Sequence, residues 1–350
     1  MKYSRNKINL AGKELIAVAS DIFDYAEAIT MVEDWRKLHL PVLESLAREV
    51  SEAFAGAGIP VAFSSQRLKR MTSIKDKLLR TPGMGLGGVQ DIGGARYVFD
   101  DVPTMLTAKD CLDKAVLPSF ELDHAPYDYV SVPKPSGYRS IHYVYKYRSS
   151  NSDLDGMRVE LQIRTRLQHD WATAVETAEL ISKSQLKAGL GDENWLDFFR
   201  LVSAIFARQE GTAVEKSYAD YDQAYFCHQY AAYNEQYKFI ETLKALVGLV
   251  NTAEDQSFQG GYVVVLIEYA SKTIQMRHFQ PEEKERANEV YAQIESTIKK
   301  DEGAVVLVSV SDVQELREAY PSYFLNAYEF IQALDAFELQ CKYIDKLSMH

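Results

Sequence analysis

The segment Val159-Glu160-Leu161-Gln162-Ile163-Arg164 constrains this chain more than any other. Read as a strand, its alternation sends Glu160, Gln162 and Arg164 to one face and Val159, Leu161 and Ile163 to the other. Such a strand needs a sheet that is packed on its apolar side and leaves the polar side for chemistry. The surrounding patterns supply both layers. Residues 13–57 carry apolar positions at helical spacing, among them Leu43, Leu46, Val50 and Phe54, ahead of Gly56-Ala57-Gly58. Short strands are expected at 61–63, 95–99, 140–147 and 158–163, with helices at 73–79 and 165–180. The order is mixed α/β.

Beyond residue 193 the pattern turns helical, at 195–207 and 218–250. Residues 256–350 then read as a smaller α+β domain: two strands after Gly260-Gly261, a helix over 281–300, a strand over 304–310 and closing helices. The expected domains are therefore 1–185, a helical linker or arm over 186–255, and 256–350. The chain has 350 residues, 47% hydrophobic and 25% charged, which excludes a wholly disordered or collagen-like chain. With no apolar run near the ~18 residues of a membrane span, and an N-terminus unlike an export signal, the expected location is the cytoplasm, with no membrane partner. Three cysteines, Cys111, Cys227 and Cys341, are an odd set without CxxC spacing, so reduced buried thiols are expected.

Charge is unevenly spread. The net value is -11, which disfavours nonspecific nucleic-acid binding by the whole surface. Residues 251–350 hold 9 Lys+Arg against 17 Asp+Glu, whereas residues 67–80 hold six basic residues and one acid. An anion site therefore belongs in the first half. Within it, Ser73 and Lys77 stand one helical turn apart, after Arg67 and Lys69 on one side of an extended stretch. Lysines supply point charge, Ser73 a donor, and the Arg67 guanidinium a plane that stacks on a base, a combination able to grip polyphosphate. The bland alternative for such a run is a solvated face.

Asp91, at the entrance to the 95–99 strand and five residues before Arg96, pairs a metal-holding carboxylate with a phosphate-neutralising cation. A turn aspartate beside a surface arginine is the plainer alternative. The GxGxxG match at 83–88 is discounted, because the strand and helix order around it is reversed. Glu160, charged on a central strand, suits a second magnesium ligand or a general base. Tyr138, after Gly137, offers an aromatic plane, and His169, Trp171 and Glu176 are read as buttresses from the following helix.

These segments resemble the synthetase domain of the RelA/SpoT family, over roughly residues 30–185. RxKxxxSxxxK is matched by Arg67, Lys69, Ser73 and Lys77, and DxxGxR by Asp91, Gly94 and Arg96. The acceptor loop is matched by Pro133, Lys134, Gly137, Tyr138, Ser140 and His142, and ExQIRT by Glu160, Gln162, Ile163, Arg164 and Thr165. The resemblance implies a nucleotidyltransferase-like mixed sheet flanked by helices, and transfer of the β,γ-pyrophosphate of ATP to a 3'-hydroxyl. It assigns ATP binding to Arg67, Lys69, Ser73, Lys77 and Arg96, and magnesium to Asp91 and Glu160. Tyr138 would stack on the acceptor guanine, with Lys134, His142 and Gln162 near the acceptor.

Ser136 replaces the asparagine that many members carry, which leaves the acceptor open between GDP, GTP and another molecule. Too few residues precede the first motif for the family's helical hydrolase domain, so no degrading activity is expected. The leading expectation is synthesis of (p)ppGpp-type alarmones. The alternatives are toxin-type modification of the tRNA 3'-end restrained by the C-terminal domain, and a catalytically inert nucleotide sensor. Regulation by residues 256–350 and self-association are left open.

Overall fold

In the computed structural model the alternation at 158–163 is realised in β6 (Arg158–Thr165), where Val159, Leu161 and Ile163 are fully buried. The structure describes residues 3–17, 22–182, 193–237, 239–240, 261–268, 273–298, 303–310 and 327–348. They divide into two units, Met1–Tyr127 with Ile141–Ile163, and Asp128–Ser140 with Arg164–His350.

The first unit contains α1 (Arg5–Ile16), α2 (Ile22–Gly56), β1 (Phe63–Leu68), α3 (Met71–Arg80), β2 (Gly93–Phe99), α4 (Val102–Lys114) and β3 (Phe120–Leu122). The two-residue β4 (Tyr127–Asp128) and β5 (Ile141–Tyr147) follow. The strand order is β1-β2-β6-β5-β3. Helix α2 buries the stripe Val42, Leu43, Leu46, Val50 and Phe54, as its spacing predicts. Phe54 meets Tyr97 and Phe99 edge-on at 5.3 and 5.7 Å, and the Tyr97 hydroxyl donates to the Ala47 carbonyl at 2.9 Å. Burying a ring of this size contributes about 2–3 kcal/mol. Because Tyr97 and Phe99 point at α2, alternation turns Gly94 and Arg96 to the opposite face.

Register then collects the polar face. Arg67 lies opposite Gly94, and Ser65 opposite Arg96. His142 lies opposite Gln162, Val144 opposite Glu160 and Lys146 opposite Arg158.

The segment expected as one helix over 13–57 falls in two, α1 and α2, with 18–21 outside the described residues. The strand expected at 61–63 runs instead from Phe63 to Leu68 and carries Arg67 itself. Its sequence, FSSQRL, hides it, because a polar strand at the end of a sheet shows little hydrophobic alternation. Helix α4 also went unanticipated, although Asp101 caps it by accepting from the Thr104 amide at 2.8 Å.

In the second unit, α5 (Arg166–Ser182), α6 (Glu193–Gln209), α7 (Gln223–Tyr237) and α9 (Tyr328–Ser348) share an aromatic cluster that includes Trp171, Phe199, Phe206, Phe226, Phe330 and Phe337. Residues 241–250 of the expected 218–250 helix lie outside the described residues. Here the cysteine expectation is corrected: Cys227 of α7 and Cys341 of α9 form a disulfide across 114 residues of sequence, leaving Cys111 free. Helix packing brings the two Cα atoms to 5.4 Å, a pairing that spacing along the chain cannot reveal.

A three-stranded antiparallel sheet, β8 (Thr273–Phe279), β7 (Gly261–Glu268) and β9 (Gly303–Val310), has α8 (Lys284–Thr297) packed with it around Val264, Phe279, Ala287, Tyr291 and Val305. The smaller C-terminal α+β element is therefore present. Residues 256–350 divide between this cluster and the aromatic one, to which α9 belongs.

Candidate active site

Asp91 precedes β2 and sits between two ammonium groups. Lys69 Nζ lies 2.9 Å from its Oδ2 and Lys77 Nζ lies 2.8 Å from its Oδ1. Local structure sets this up. The Lys69 amide donates to the Ile92 carbonyl at 2.7 Å, and the Lys69 carbonyl accepts from Arg36 Nε at 2.9 Å, so the turn out of β1 is held from both sides. Helix α3 buries Ile74 and Leu78, which leaves Ser73 and Lys77 on a neighbouring, half-buried face. Burial pushes the Asp91 carboxyl up, but the Lys69 and Lys77 charges outweigh it and hold the group well below the usual carboxylate range. Burial lowers the Lys69 ammonium, and Asp91 opposes that fall.

Glu160 is fastened on the next strand of the sheet. His142 Nδ1 lies 2.8 Å from its Oε1, and Gln162 Nε2 donates to its Oε2 at 2.6 Å. Burial raises this carboxyl, His142 lowers it, Asp91 raises it again, and the net position falls well below the ordinary value. Both carboxylates are therefore ionised at neutral pH, and each feels the other's charge.

Among the described residues no three or more His, Cys, Asp or Glu are gathered into a metal cage. A pair of ionised carboxylates is nonetheless the kind of donor set magnesium uses, completing its octahedron with waters and substrate phosphates. Asp91 and Glu160 fit such an ion in charge and in donor chemistry. Arg67 and Arg96 share the polar face of this sheet with Glu160, Gln162 and His142. The first unit thus gathers Arg67, Lys69, Ser73, Lys77, Asp91, Arg96, His142, Glu160 and Gln162.

Lys134 and Tyr138 belong to the second unit. Their turn closes through the Gly137 amide to the Lys134 carbonyl at 2.8 Å and the Lys134 amide to the Tyr138 carbonyl at 3.2 Å. Gly137 has φ +85°, where a side chain is strained. Lys134 Nζ stands 4.1 Å from the Tyr129 ring centre and 5.2 Å from that of Tyr138. Tyr138 is only 5% exposed and packs near Tyr129 and Trp171. His169 is buried as well, and the Trp171 indole donates to the Phe199 carbonyl at 2.8 Å, a bracing contact between α5 and α6. Sequence reading did not single out Arg36, Ser203 or Glu210, each of which holds a motif segment in place. Their partners lie 33 to 71 residues away.

A family profile described as the region found in RelA/SpoT proteins matches residues 66–186. The GTP pyrophosphokinase rsh of Brucella ovis is 32% identical over 128 residues, which cover 36% of this chain and 15% of that protein. The chain therefore aligns with only a small part of that long relative. GTP pyrophosphokinase YwaC of Bacillus subtilis is 25% identical over 158 residues, 41% of this chain and 74% of that protein. The small alarmone synthetase 1 of Bacillus subtilis, solved with its product pppGpp, covers 51% of this chain and 93% of its own at 24% identity, with a TM-score of 0.43. Residues 66–186 are thus similar to the region found in RelA/SpoT proteins, and residues 187–350 lie beyond that match. Among the described residues no helix is long and apolar enough to cross a membrane.

Proposed function

We propose that this chain transfers the β,γ-pyrophosphate of ATP to the 3'-hydroxyl of GDP or GTP, making (p)ppGpp-type alarmones. The observation that carries the reading is an ionised Asp91 held between Lys69 and Lys77, beside a second ionised carboxylate, inside a RelA/SpoT region.

Phosphoryl-type transfer depends mostly on positioning and charge neutralisation. Lys69, Lys77 and Ser73 bind the triphosphate, while Arg67 and Arg96 hold the remainder of ATP. Magnesium, held by Asp91 and Glu160, would neutralise charge on the phosphates. Lys134, Tyr138, His142 and Gln162 are the acceptor residues. The acceptor oxygen forms a bond to the β-phosphorus as the bond from that phosphorus to the α,β-bridging oxygen breaks, and AMP departs with that oxygen.

Glu160, anionic and already accepting from Gln162, orients the acceptor hydroxyl and takes up its proton as the new bond forms. Its low affinity for protons makes orientation the larger share of that role.

The test is incubation with γ-labelled ATP and, separately, GDP, GTP and tRNA. Label in the guanine nucleotide is the expected result. Label in tRNA alone would replace the acceptor, and label in none would overturn the transfer reading; ATP binding by calorimetry in that case would favour a nucleotide-binding sensor.

A further inference from the structure

The turn that carries Lys134 and Tyr138 is tied to the end of α6 by a chain of buried polar contacts. A Cβ added at Gly137 would stand 2.9 Å from the Ser203 Cβ, so loop and helix meet at close range. Ser203 Oγ donates to the Gly137 carbonyl and accepts from Arg139 Nε at 3.3 Å. Arg139 Nη1 donates to Glu210 Oε2 at 2.6 Å and to Thr212 Oγ1 at 3.1 Å. Glu210 also accepts from the Thr165 hydroxyl and, at 3.2 Å, from Gln168 Nε2.

One carboxylate therefore binds the acceptor loop, the end of the ExQIRT strand and the start of α5. Its own position is set by a tight helix end: the Gly211 amide returns to the Arg208 carbonyl at φ +65°, and the Thr212 amide to the Ala207 carbonyl.

We propose that Glu210 is a positioning residue for the acceptor: through Arg139, and with Ser203, it fixes the geometry of the 134–140 loop and thereby acceptor binding. The proposal rests on the pyrophosphate-transfer reading for its link to an acceptor, and Glu210 lies outside the 66–186 region. The Arg139 and Glu210 side chains are 2% and 7% exposed, so little water stands ready to replace a lost contact. In such surroundings a charged pair is geometrically demanding, and its loss frees the loop rather than merely softening it. A purely structural pair would behave differently. Its loss would weaken both substrates together, with no selective change at the loop.

Glu210→Gln preserves shape and removes the charge. Hydrogen–deuterium exchange of the nucleotide-free protein should show the amides of 134–140 exchanging about tenfold faster or more, while α3 and β2 stay as protected as before. In turnover assays the acceptor KM should rise about tenfold to a hundredfold, with the ATP KM within about twofold.

Should Glu210→Gln fail to fold, Ser203→Ala removes the other tie while leaving the ion pair, and the same selective changes are expected at smaller size. Unchanged loop exchange in the folded variant would overturn the proposal. So would equal rises in both KM values. If the intact chain labels neither GDP nor GTP, the functional reading fails, while the exchange result still decides whether Glu210 positions the loop.

Discussion

Replacing Asp91 by asparagine separates the site's two electrostatic jobs. In the folded chain its two oxygens each face an ammonium at 2.8–2.9 Å, with side-chain exposures of 21% for Asp91, 17% for Lys69 and 28% for Lys77. Breaking a fully buried pair by removing one partner costs about 3–5 kcal/mol. At these exposures water recovers part of that, which leaves about 2–3 kcal/mol. For a unit of about 150 residues the change corresponds to a melting temperature lower by about 4–12 °C.

Function should move in two directions at once. With the carboxylate gone, Lys69 and Lys77 are released toward phosphate, so ATP binding measured by calorimetry in EDTA should tighten. Magnesium-dependent transfer of label should fall by at least about a hundredfold, because one of the two proposed metal ligands is lost. An Asp91→Asn protein that melts like the parent and turns over normally would refute the reasoning. A variant that loses metal-free ATP binding would refute the inhibitory pairing of the lysines.

Glu160→Gln keeps a partner for Gln162 but loses the ionised oxygen, and transfer should drop by about 10²–10⁴ in single-turnover assays at saturating nucleotides; a loss below tenfold would remove Glu160 from the chemistry. The Glu160 carboxyl lies below its ordinary value in the folded state, so its contribution is present at neutral pH and is lost as pH falls below about 4.5 toward its folded value. Urea midpoints between pH 6 and 3 should show that loss, and Glu160→Gln should flatten it.

Asp170 behaves oppositely: burial, then Glu329, push it up to about 7. The folded state then holds a proton that the unfolded state has released, and stability falls as pH rises from about 4 to 7. Asp170→Asn should abolish that slope and stabilise the protein at pH 8 by up to about 4 kcal/mol, as read from urea midpoints. The Cys227–Cys341 bond closes 114 residues, for which chain entropy gives about 4.8 kcal/mol. Reductant or Cys341→Ser should therefore lower the melting temperature, and an unchanged melt would show that the bond is absent in solution.

The sequence by itself determined the elements whose signals are local: the two-faced strand at 158–163, the apolar stripe of α2, and the order in which Lys69, Lys77, Asp91 and Glu160 arrive. Period-2 and period-3.6 patterns report which face of an element is buried, and the motif residues lie close together along the chain. The partners that hold those residues were not legible. That Asp91 takes both lysines, and that His142 and Gln162 grip Glu160, depends on strand register and on the turn of α3. For Tyr138 the sequence offered an aromatic plane without saying whether it is packed; packing against its neighbours leaves it 5% exposed, because burial of an aromatic ring is set by the side chains it meets. Only the tertiary structure decided that Glu210, 71 residues from Arg139, and Cys341, 114 residues from Cys227, are partners. A buried charge or thiol is stabilised by whatever the fold carries to within about 3 Å of it, and separation along the chain encodes nothing about that distance.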